Sequence, residues 1–407
     1  MIETDAPSDE PIAKIRPRTR KVASPHVSSS AASGIDRQRR RNSPYLTALA
    51  SVLPMSHAIP PLDQAAMQRA AARQARLTKP EGSLGRLEDL SVQLAGMTGR
   101  LDPPLRHAVI FILAADHGVA VEGVSAYPRE VTAQMVLNFL RGGAAINALA
   151  REVGARVVIA DVGVDGELPR HPELRAVKVM RGTANFTQGP AMTTGEAELA
   201  IETGRRLVVE EHDKGLDIAL TGDMGIGNTT AAAAVICALT GLAPELVVGR
   251  GTGVDDEGLA RKLAAVSRAL EVNRGAISRG PVETVAAVGG LEIAGLAGVI
   301  LEAAHLRKPV IVDGFISGAA ALAAAAVEPV ATGYMIASHR SQELGHGAVL
   351  ERLGLRPLLD LDLRLGEGTG AALALPLVRA AQRLLIEMAS FDEAGVSERA
   401  IMIPTTE

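Results

Sequence analysis

The chain has 407 residues, of which 47% are hydrophobic and 22% charged, as in a folded protein built from one large unit or from two to three domains. Its one cysteine, Cys237, excludes a disulfide framework and any multi-cysteine metal site, and its apolar runs are too short to span a bilayer. The net charge of −4 provides no general basic surface for nucleic acid. We therefore expect a protein of a reducing, cytoplasmic compartment that binds neither membranes nor nucleic acid.

The first 57 residues differ in composition from the remainder. Residues 1–57 contain nine Lys or Arg and five Asp or Glu, set among Ser, Pro and Ala, and such a segment cannot bury a core. We interpret it as a disordered basic extension. Two alternatives stay open, namely a basic arm that binds a polyanion and a natural start of the protein at Met55.

Helical patterns occur near both ends of the remaining chain. An Ala- and Arg-rich stretch over 63–76 predicts one helix, and a second opens around Ser83, with its leucines on one face. A long apolar-periodic stretch over 370–390 predicts a further helix. We expect this last helix to pack back onto the first two.

The middle of the chain alternates short apolar runs with Gly-rich turns and Ala-rich helical stretches. Strands are predicted over five of these runs, at 108–114, 156–160, 217–220, 309–312 and 330–337. Apolar strands separated by crossover helices predict an α/β fold with a parallel sheet covered on both faces. Ligands of such sheets bind at the carboxyl ends of the strands, where polar and Gly-rich segments occur here.

The segment 221–230, TGDMGIGNTT, follows the third of these strands. Its three glycines allow the backbone to approach a ligand closely, and Asn228-Thr-Thr supplies donors at the start of a helix, where anions are favoured. It matches neither GxGxxG nor the P-loop. The alternative interpretation is a tight turn from strand to helix with capping residues.

A second Gly-rich segment, 248–256, precedes a predicted helix that carries Lys262. After two such segments, Lys262 becomes a candidate phosphate contact. The alternative is a solvated surface charge.

Glu367 stands between Gly366 and Gly368 in a third such segment, 363–370. A carboxylate in this setting, with Leu365 beside it, is expected to be partly desolvated. Desolvation raises the pKa of a carboxyl group, as a general base requires. The alternative is an ordinary carboxylate in a loop or at the start of a helix.

Asp116-His117, with His339 and His346 elsewhere, suggests metal ligands, but neither HExxH nor HxH accompanies them. We favour a hydrogen-bonded pair at the end of a strand and predict no metal site.

Together these segments resemble the nicotinate-nucleotide–dimethylbenzimidazole phosphoribosyltransferase family. The motifs that carry the likeness follow the family's order from about residue 60 to the C-terminus, at 79–88, 115–119, 221–230, 313–317, 338–339 and 364–373. The resemblance implies a Rossmann-like large domain over 105–369, a small helical domain formed by 58–104 and 370–407, and a homodimer whose partner loops help to close the site. It does not cover residues 1–57.

The resemblance also implies a reaction. Nicotinate mononucleotide gives its 5-phosphoribosyl group to 5,6-dimethylbenzimidazole, which yields α-ribazole 5′-phosphate and nicotinate for the lower nucleotide loop of cobalamin. No metal or organic cofactor is implied, because the pyridinium nitrogen of the donor is already a good leaving group.

The family's functional positions fall on particular residues of this chain. The general base falls on Glu367, and a second carboxylate falls on Asp223, where the family carries Glu. Phosphate and ribose binding carries over to Gly225, Gly227, Asn228, Thr229, Lys262, Asp313, Gly314 and Ser338. Contacts to the benzimidazole carry over to Met224, Leu365, Tyr127, Gln134 and Met135.

Two other classes of function are alternatives to this one. The first is a nucleotide-dependent oxidoreductase with an atypical glycine loop, and the second is a sensor that binds a benzimidazole or a nucleotide without turnover. The Gly-flanked Glu367 disfavours both.

Overall fold

The computed structural model describes residues 58–397, all of which belong to one compact unit. The predicted basic extension over 1–57 lies outside the described residues, as do residues 398–407. The strands are β1 Ala108–Ala115, β2 Ala155–Gly163, β3 Leu174–Ala176, β4 Ile218–Met224, β5 Val310–Val312 and β6 Met335–Ala337.

The helices alternate with these strands along most of the chain. They are α1 Gln64–Arg76, α2 Arg86–Thr98, α3 Glu130–Leu140, α4 Ala145–Val153, α5 Thr194–His212, α6 Asn228–Thr240, α7 Asp256–Val272, α8 Arg274–Ile277, α9 Pro281–Val288, α10 Leu291–His305, α11 Phe315–Val327, α12 His346–Leu353, α13 Thr369–Glu387 and α14 Phe391–Ala394. Short 3₁₀ helices span Gly118–Glu122, Pro244–Leu246 and Pro329–Tyr334.

The sheet has the order β3-β2-β1-β4-β5-β6, and every pairing in it is parallel. Strand β1 is buried along its whole length, as its unbroken apolar run predicted. Helix α10 is buried almost all round, packs on α5 and α11, and contacts β1 and β4. The predicted α/β fold with a parallel sheet and surrounding helices is confirmed.

Two details of the sheet differ from the prediction. The run 330–337 forms a strand only over Met335–Ala337, because Pro329 has a fixed φ and no amide donor and so starts a 3₁₀ helix instead. Strand β3 was not predicted. It has only three residues and is half exposed at the sheet edge, so it shows no continuous apolar run.

The terminal helices pack together. Ala66 and Ala70 of α1, Ala95 of α2 and Leu385 of α13 form one buried cluster. The C-terminal helix therefore returns onto the first two, while the division into a large and a small domain stays a prediction. No helix within 58–397 is long and apolar enough to cross a membrane.

Candidate active site

A cavity of about 510 Å³ opens at the carboxyl ends of β4, β5 and β6. The parallel sheet brings to this edge the segments that follow three different strands, as the fold predicts. Ten of the residues predicted from the sequence line the cavity together: Tyr127, Met135, Asp223, Met224, Gly225, Asn228, Thr229, Gly314, Leu365 and Glu367.

Glu367 lies in a turn that leads into α13. It adopts φ +62°, between Gly366 at +83° and Gly368 at +86°, so three consecutive residues are left-handed. The side chain is 6% exposed, and its Oε2 has no hydrogen-bond partner among residues 58–397. Burial raises the pKa of Glu367, and a hydrogen bond from the backbone of Ile146 opposes that shift. The result is a buried carboxyl group with one oxygen free to take a proton.

Asp223 is the second-last residue of β4 and lines the same cavity. Its Oδ2 accepts a hydrogen bond of 2.9 Å from Asn228 Nδ2, while its Oδ1 has no partner within the described chain. Burial raises the pKa of Asp223 well above its ordinary value, and the nearby carboxyl groups of Asp313, Glu292 and Glu367 raise it further. Asp223 therefore holds its proton to an unusually high pH and can donate a hydrogen bond as well as accept one.

Asp313 follows β5 and holds the start of α13. Its carboxylate accepts hydrogen bonds from the amides of Gly368 at 3.2 Å and Ala371 at 2.9 Å. Burial raises the pKa of Asp313 to about 7, although these backbone donors lower it. Asp313, predicted to bind the phosphoribosyl group, is not among the residues that line the cavity, whereas the neighbouring Gly314 is.

One wall of the cavity is suited to an anion. Asn228 and Thr229 begin α6, with Gly227 at φ +94° in the cap position, so the positive end of the helix dipole lies at the cavity, although the amides of Asn228 and Thr230 already donate to the Gly225 and Gly227 carbonyls. Lys262 lies behind this wall, 1% exposed, with Nζ 3.0 Å from Thr229 Oγ1. Burial lowers the pKa of Lys262 to about 8, and Glu343 opposes the shift.

The opposite wall is apolar. Val131 and Met135 lie one turn apart on α3, so both face the cavity. Gln134 lies one position earlier than Met135 and lines a separate cavity of about 440 Å³ with Asp116, Arg129 and Asp165. The structure thus does not bring Gln134 to the predicted site, whereas the sequence interpretation missed Val131.

Other residues of the cavity were not assigned from the sequence. These are Ile226, Gly251, Thr252, Phe315, Ile316, His339, Ser341, Glu343, Arg364 and Gly366, besides Val131. His339 and Arg364 stand inside the family motifs and could have been found there. Arg364 Nη1 donates to the Gly251 carbonyl at 3.1 Å and so joins two of the Gly-rich segments.

Ser338 was predicted to bind the phosphoribosyl group, but its hydroxyl has protein partners. It is fully buried, donates to the Asp313 carbonyl at 3.0 Å, and lies 2.9 Å from His339 Nδ1. Any effect of Ser338 on a ligand therefore passes through His339.

The Asp116-His117 pair has structural partners. Asp116 Oδ2 accepts from the amide of Asp165 at 2.8 Å, and His117 Nε2 lies 2.8 Å from Glu292 Oε1. Within 58–397, no group of three or more His, Cys, Asp or Glu is arranged to hold a metal ion.

Comparison with known proteins identifies the family. A family model described as phosphoribosyltransferase matches residues 59–396. Nicotinate-nucleotide–dimethylbenzimidazole phosphoribosyltransferase of Chloroflexus aggregans is 59% identical over 341 residues, which cover 84% of this chain and 96% of that protein. The enzyme of the same name from Thermus thermophilus is 54% identical over 336 residues, 83% of this chain and 99% of that protein.

The solved structures agree with the sequences. The crystal structure of CobT from Thermus thermophilus superposes with a TM-score of 0.79 at 53% identity, over 82% of this chain and all of that one. The chain therefore belongs to the nicotinate-nucleotide–dimethylbenzimidazole phosphoribosyltransferase family.

Proposed function

We propose that this cavity transfers the 5-phosphoribosyl group of nicotinate mononucleotide to 5,6-dimethylbenzimidazole, giving α-ribazole 5′-phosphate and nicotinate. The observation that carries the proposal is Glu367, a residue of the cavity wall whose buried carboxyl group has a raised pKa and one oxygen without a hydrogen-bond partner among residues 58–397. It faces a cavity with an anion-binding helix terminus on one wall and apolar side chains on the other.

The anion-binding wall accounts for the donor. The 5′-phosphate docks at the start of α6, where Asn228 and Thr229 line the cavity and the helix dipole favours negative charge. Lys262 contributes its charge from behind Thr229, to which it is hydrogen-bonded. The Gly225-Ile-Gly227 turn allows the ligand to approach the backbone closely.

The apolar wall accounts for the acceptor. Met224, Met135 and Leu365 present thioether and aliphatic surface of the kind that a flat, methylated ring contacts. Tyr127 and Leu365 are both more than half exposed, so they lie at the mouth of the cavity.

Glu367 acts as the general base. Its free oxygen takes the N–H proton of the benzimidazole while a ring nitrogen attacks C1′ of the ribose. The bond from C1′ to the pyridinium nitrogen breaks, and its electron pair leaves with nicotinate. Because neutral benzimidazole is a very weak acid, removal of the proton must accompany formation of the new bond, and a positioned base contributes about 10²- to 10⁴-fold.

Asp223 supports the sugar. As nicotinate leaves, C1′ gains positive charge, and the protonated Asp223 stabilises this charge through the partial negative charge on its unpartnered Oδ1. Attack on the face opposite the leaving group converts the β-linkage of the donor into an α-linkage. Asp223 is one methylene shorter than the Glu that the family carries, and its fixed contact with Asn228 sets where it reaches.

We also propose that the enzyme acts as a cytoplasmic homodimer. Four large apolar side chains stand exposed where a partner could cover them: Tyr127 and Leu365, which line the cavity, and Leu344 and Leu361. The free thiol of Cys237 is compatible with a reducing compartment. Sedimentation of the purified full chain tests the dimer, and a monomer at micromolar concentration would contradict it.

Product analysis tests the reaction. The purified chain is incubated with nicotinate mononucleotide and 5,6-dimethylbenzimidazole, and the products are separated and assigned by NMR. We expect equimolar nicotinate and the α-anomer of ribazole 5′-phosphate. Tight binding of both compounds without release of nicotinate would instead indicate a sensor, and a β-anomer would overturn the proposed geometry.

A further inference from the structure

His339 is a cavity residue for which the reaction above has no role. It follows β6, is 2% exposed, and is among the residues that line the cavity. Its imidazole fits against the first turn of α13, where a Cβ at Gly370 would come within 1.9 Å of His339 Nδ1. The ring therefore occupies a place that only a glycine on that helix leaves open.

The hydrogen bonds around the ring define its tautomer. The Asp313 carbonyl can only accept, so the single hydroxyl proton of Ser338 points to it, over 3.0 Å. The 2.9 Å contact between Ser338 Oγ and His339 Nδ1 must then be a donation from Nδ1–H to the hydroxyl oxygen. Burial lowers the pKa of His339 to about 4, so the ring is neutral near pH 7.

A neutral imidazole that is protonated on Nδ1 carries a lone pair on Nε2. Nε2 has no hydrogen-bond donor among the residues that the structure describes, and it lies beside Gly314, another residue of the cavity wall. The site thus contains a fixed hydrogen-bond acceptor that needs a donor from the ligand.

The chemistry of the substrates restricts what this acceptor can bind. The phosphate and carboxylate groups of nicotinate mononucleotide only accept hydrogen bonds, and the benzimidazole proton is assigned to Glu367. The ribose hydroxyls are the donors that remain. We propose that His339 Nε2 accepts a hydrogen bond from the 2′- or 3′-hydroxyl of the donor nucleotide and so selects ribonucleotide over deoxyribonucleotide donors.

This inference rests on the proposed function, and it gives Ser338 and Asp313 a shared task. Asp313 fixes Ser338 through its carbonyl and fixes the start of α13 through its carboxylate, next to Glu367. Asp313 thereby connects His339, the proposed acceptor for the ribose hydroxyl, with the turn that carries Glu367, the proposed base.

Two variants separate the acceptor from the shape of the side chain. In His339→Asn, the side-chain amide can still donate to Ser338, but the side chain has no acceptor at the position of Nε2. In His339→Gln, the side-chain carbonyl reaches the position of Nε2 and can accept again. With the ribonucleotide donor we expect kcat/KM to fall about 10- to 100-fold in the Asn variant, the range for a lost buried hydrogen bond, and to recover in part in the Gln variant. The surface variant His171→Asn is the control and should match wild type.

Deoxy analogues of the donor supply the decisive comparison. One of the two analogues, 2′-deoxy or 3′-deoxy, lacks the hydroxyl that His339 binds, and wild type should be less active with that analogue than with the ribonucleotide. With the same analogue, the Asn variant should be no less active than wild type. Equal fold losses in the Asn variant with all three donors would overturn the inference while leaving the reaction intact. Absence of ribazole phosphate from wild type with the ribonucleotide would instead refute the proposed function.

A measurement on wild type covers the case in which the variants do not fold. Nitrogen-15 NMR of labelled histidine distinguishes a protonated Nδ1 from a protonated Nε2. We expect the proton of His339 on Nδ1 and a change in the Nε2 shift when the donor nucleotide is added. A proton on Nε2, or a shift that the nucleotide leaves unchanged, would contradict the inference.

Discussion

Gly222 of β4 lies directly against the backbone of Glu367. A Cβ built on Gly222 would come within 2.8 Å of the Glu367 carbonyl oxygen and 3.0 Å of the Gly368 amide nitrogen. The central strand that carries Asp223 therefore also sets the position of the turn that carries the proposed base. The turn can lie this close to β4 because residue 222 has no side chain.

The first prediction concerns this contact. Gly222→Ala should push the Glu367 turn away from β4 and lower kcat by about 10- to 100-fold, because a displacement on the order of 1 Å misaligns the reacting groups. The cost in unfolding free energy should be about 1–3 kcal/mol, as for other overpacked core positions. Steady-state kinetics and thermal unfolding measure the two effects.

A matched glycine provides the control. Gly195 lies at the start of α5, and a Cβ there meets nothing within 4 Å. Gly195→Ala should leave kcat unchanged and should not destabilise the fold. Wild-type kinetics in Gly222→Ala would show that the turn is not held by this contact.

The second prediction concerns Glu367 itself. Glu367→Gln keeps the shape of the side chain and removes the base, so kcat should fall about 10²- to 10⁴-fold while donor KM changes little. The exposed Glu351→Gln is the control. Turnover near the wild-type level in Glu367→Gln would exclude the carboxylate as the base.

The third prediction is the acid limb of the pH profile. Burial raises the pKa of Glu367 above 4.5, and the base works only when it is deprotonated. The value of kcat/KM should therefore rise with pH through this raised pKa and then stay level up to about pH 8, where Lys262 begins to lose its proton. The residual activity of Glu367→Gln should lack that limb, and an identical limb in the variant would assign the titration to another group.

Much of the fold could be predicted from local patterns. Strand β1 is an unbroken apolar run, and the long helix α13 shows a clear apolar periodicity, so both were found with nearly their observed bounds. The predicted strand over 330–337 was longer than the observed strand Met335–Ala337, because the apolar run continues through the 3₁₀ helix that Pro329 starts. Strand β3 has too little burial to leave a pattern.

A site residue could be predicted where the features that reveal its role lie within a few positions of it in the sequence. Glu367 between two glycines is such a case. Contacts across the fold are different: the tautomer of His339 depends on Ser338 and Asp313, which meet only because β5 and β6 pair in parallel. The helical phase of α3 likewise separates Gln134 from the cavity.

The fourth prediction concerns Lys262. Lys262→Met should raise donor KM about 10-fold or more, because a buried charge near the phosphate is lost, with a smaller effect on acceptor KM. The exposed Arg268→Met on the same helix is the control.

Since burial lowers the pKa of Lys262 to about 8, the ammonium loses its proton as the pH rises through that value. Donor KM of wild type should therefore rise above pH 8, and that of Lys262→Met should not. An unchanged donor KM in the variant would make Lys262 a structural residue only.

The last prediction concerns stability and the carboxyl group of Asp313. The folded chain keeps this proton up to about pH 7, whereas the unfolded chain loses it near 3.8, so the folded state binds more protons in between. The free energy of unfolding should thus fall as the pH rises from about 4 to 7 and then level off. Asp313→Asn should reduce that slope rather than abolish it, because the raised pKa values of Asp223 and Glu367 act in the same direction. At pH 4 it should also cost about 1–3 kcal/mol, because the Asn side chain has a single oxygen and cannot accept from both the Gly368 and the Ala371 amides. This cost should shrink as the pH rises toward 7, since only the wild type loses stability through the titration of Asp313. Denaturant unfolding at several pH values measures both effects, with the surface variant Asp213→Asn as the control. Equal slopes of unfolding free energy against pH in wild type and Asp313→Asn would show that Asp313 does not carry this titration.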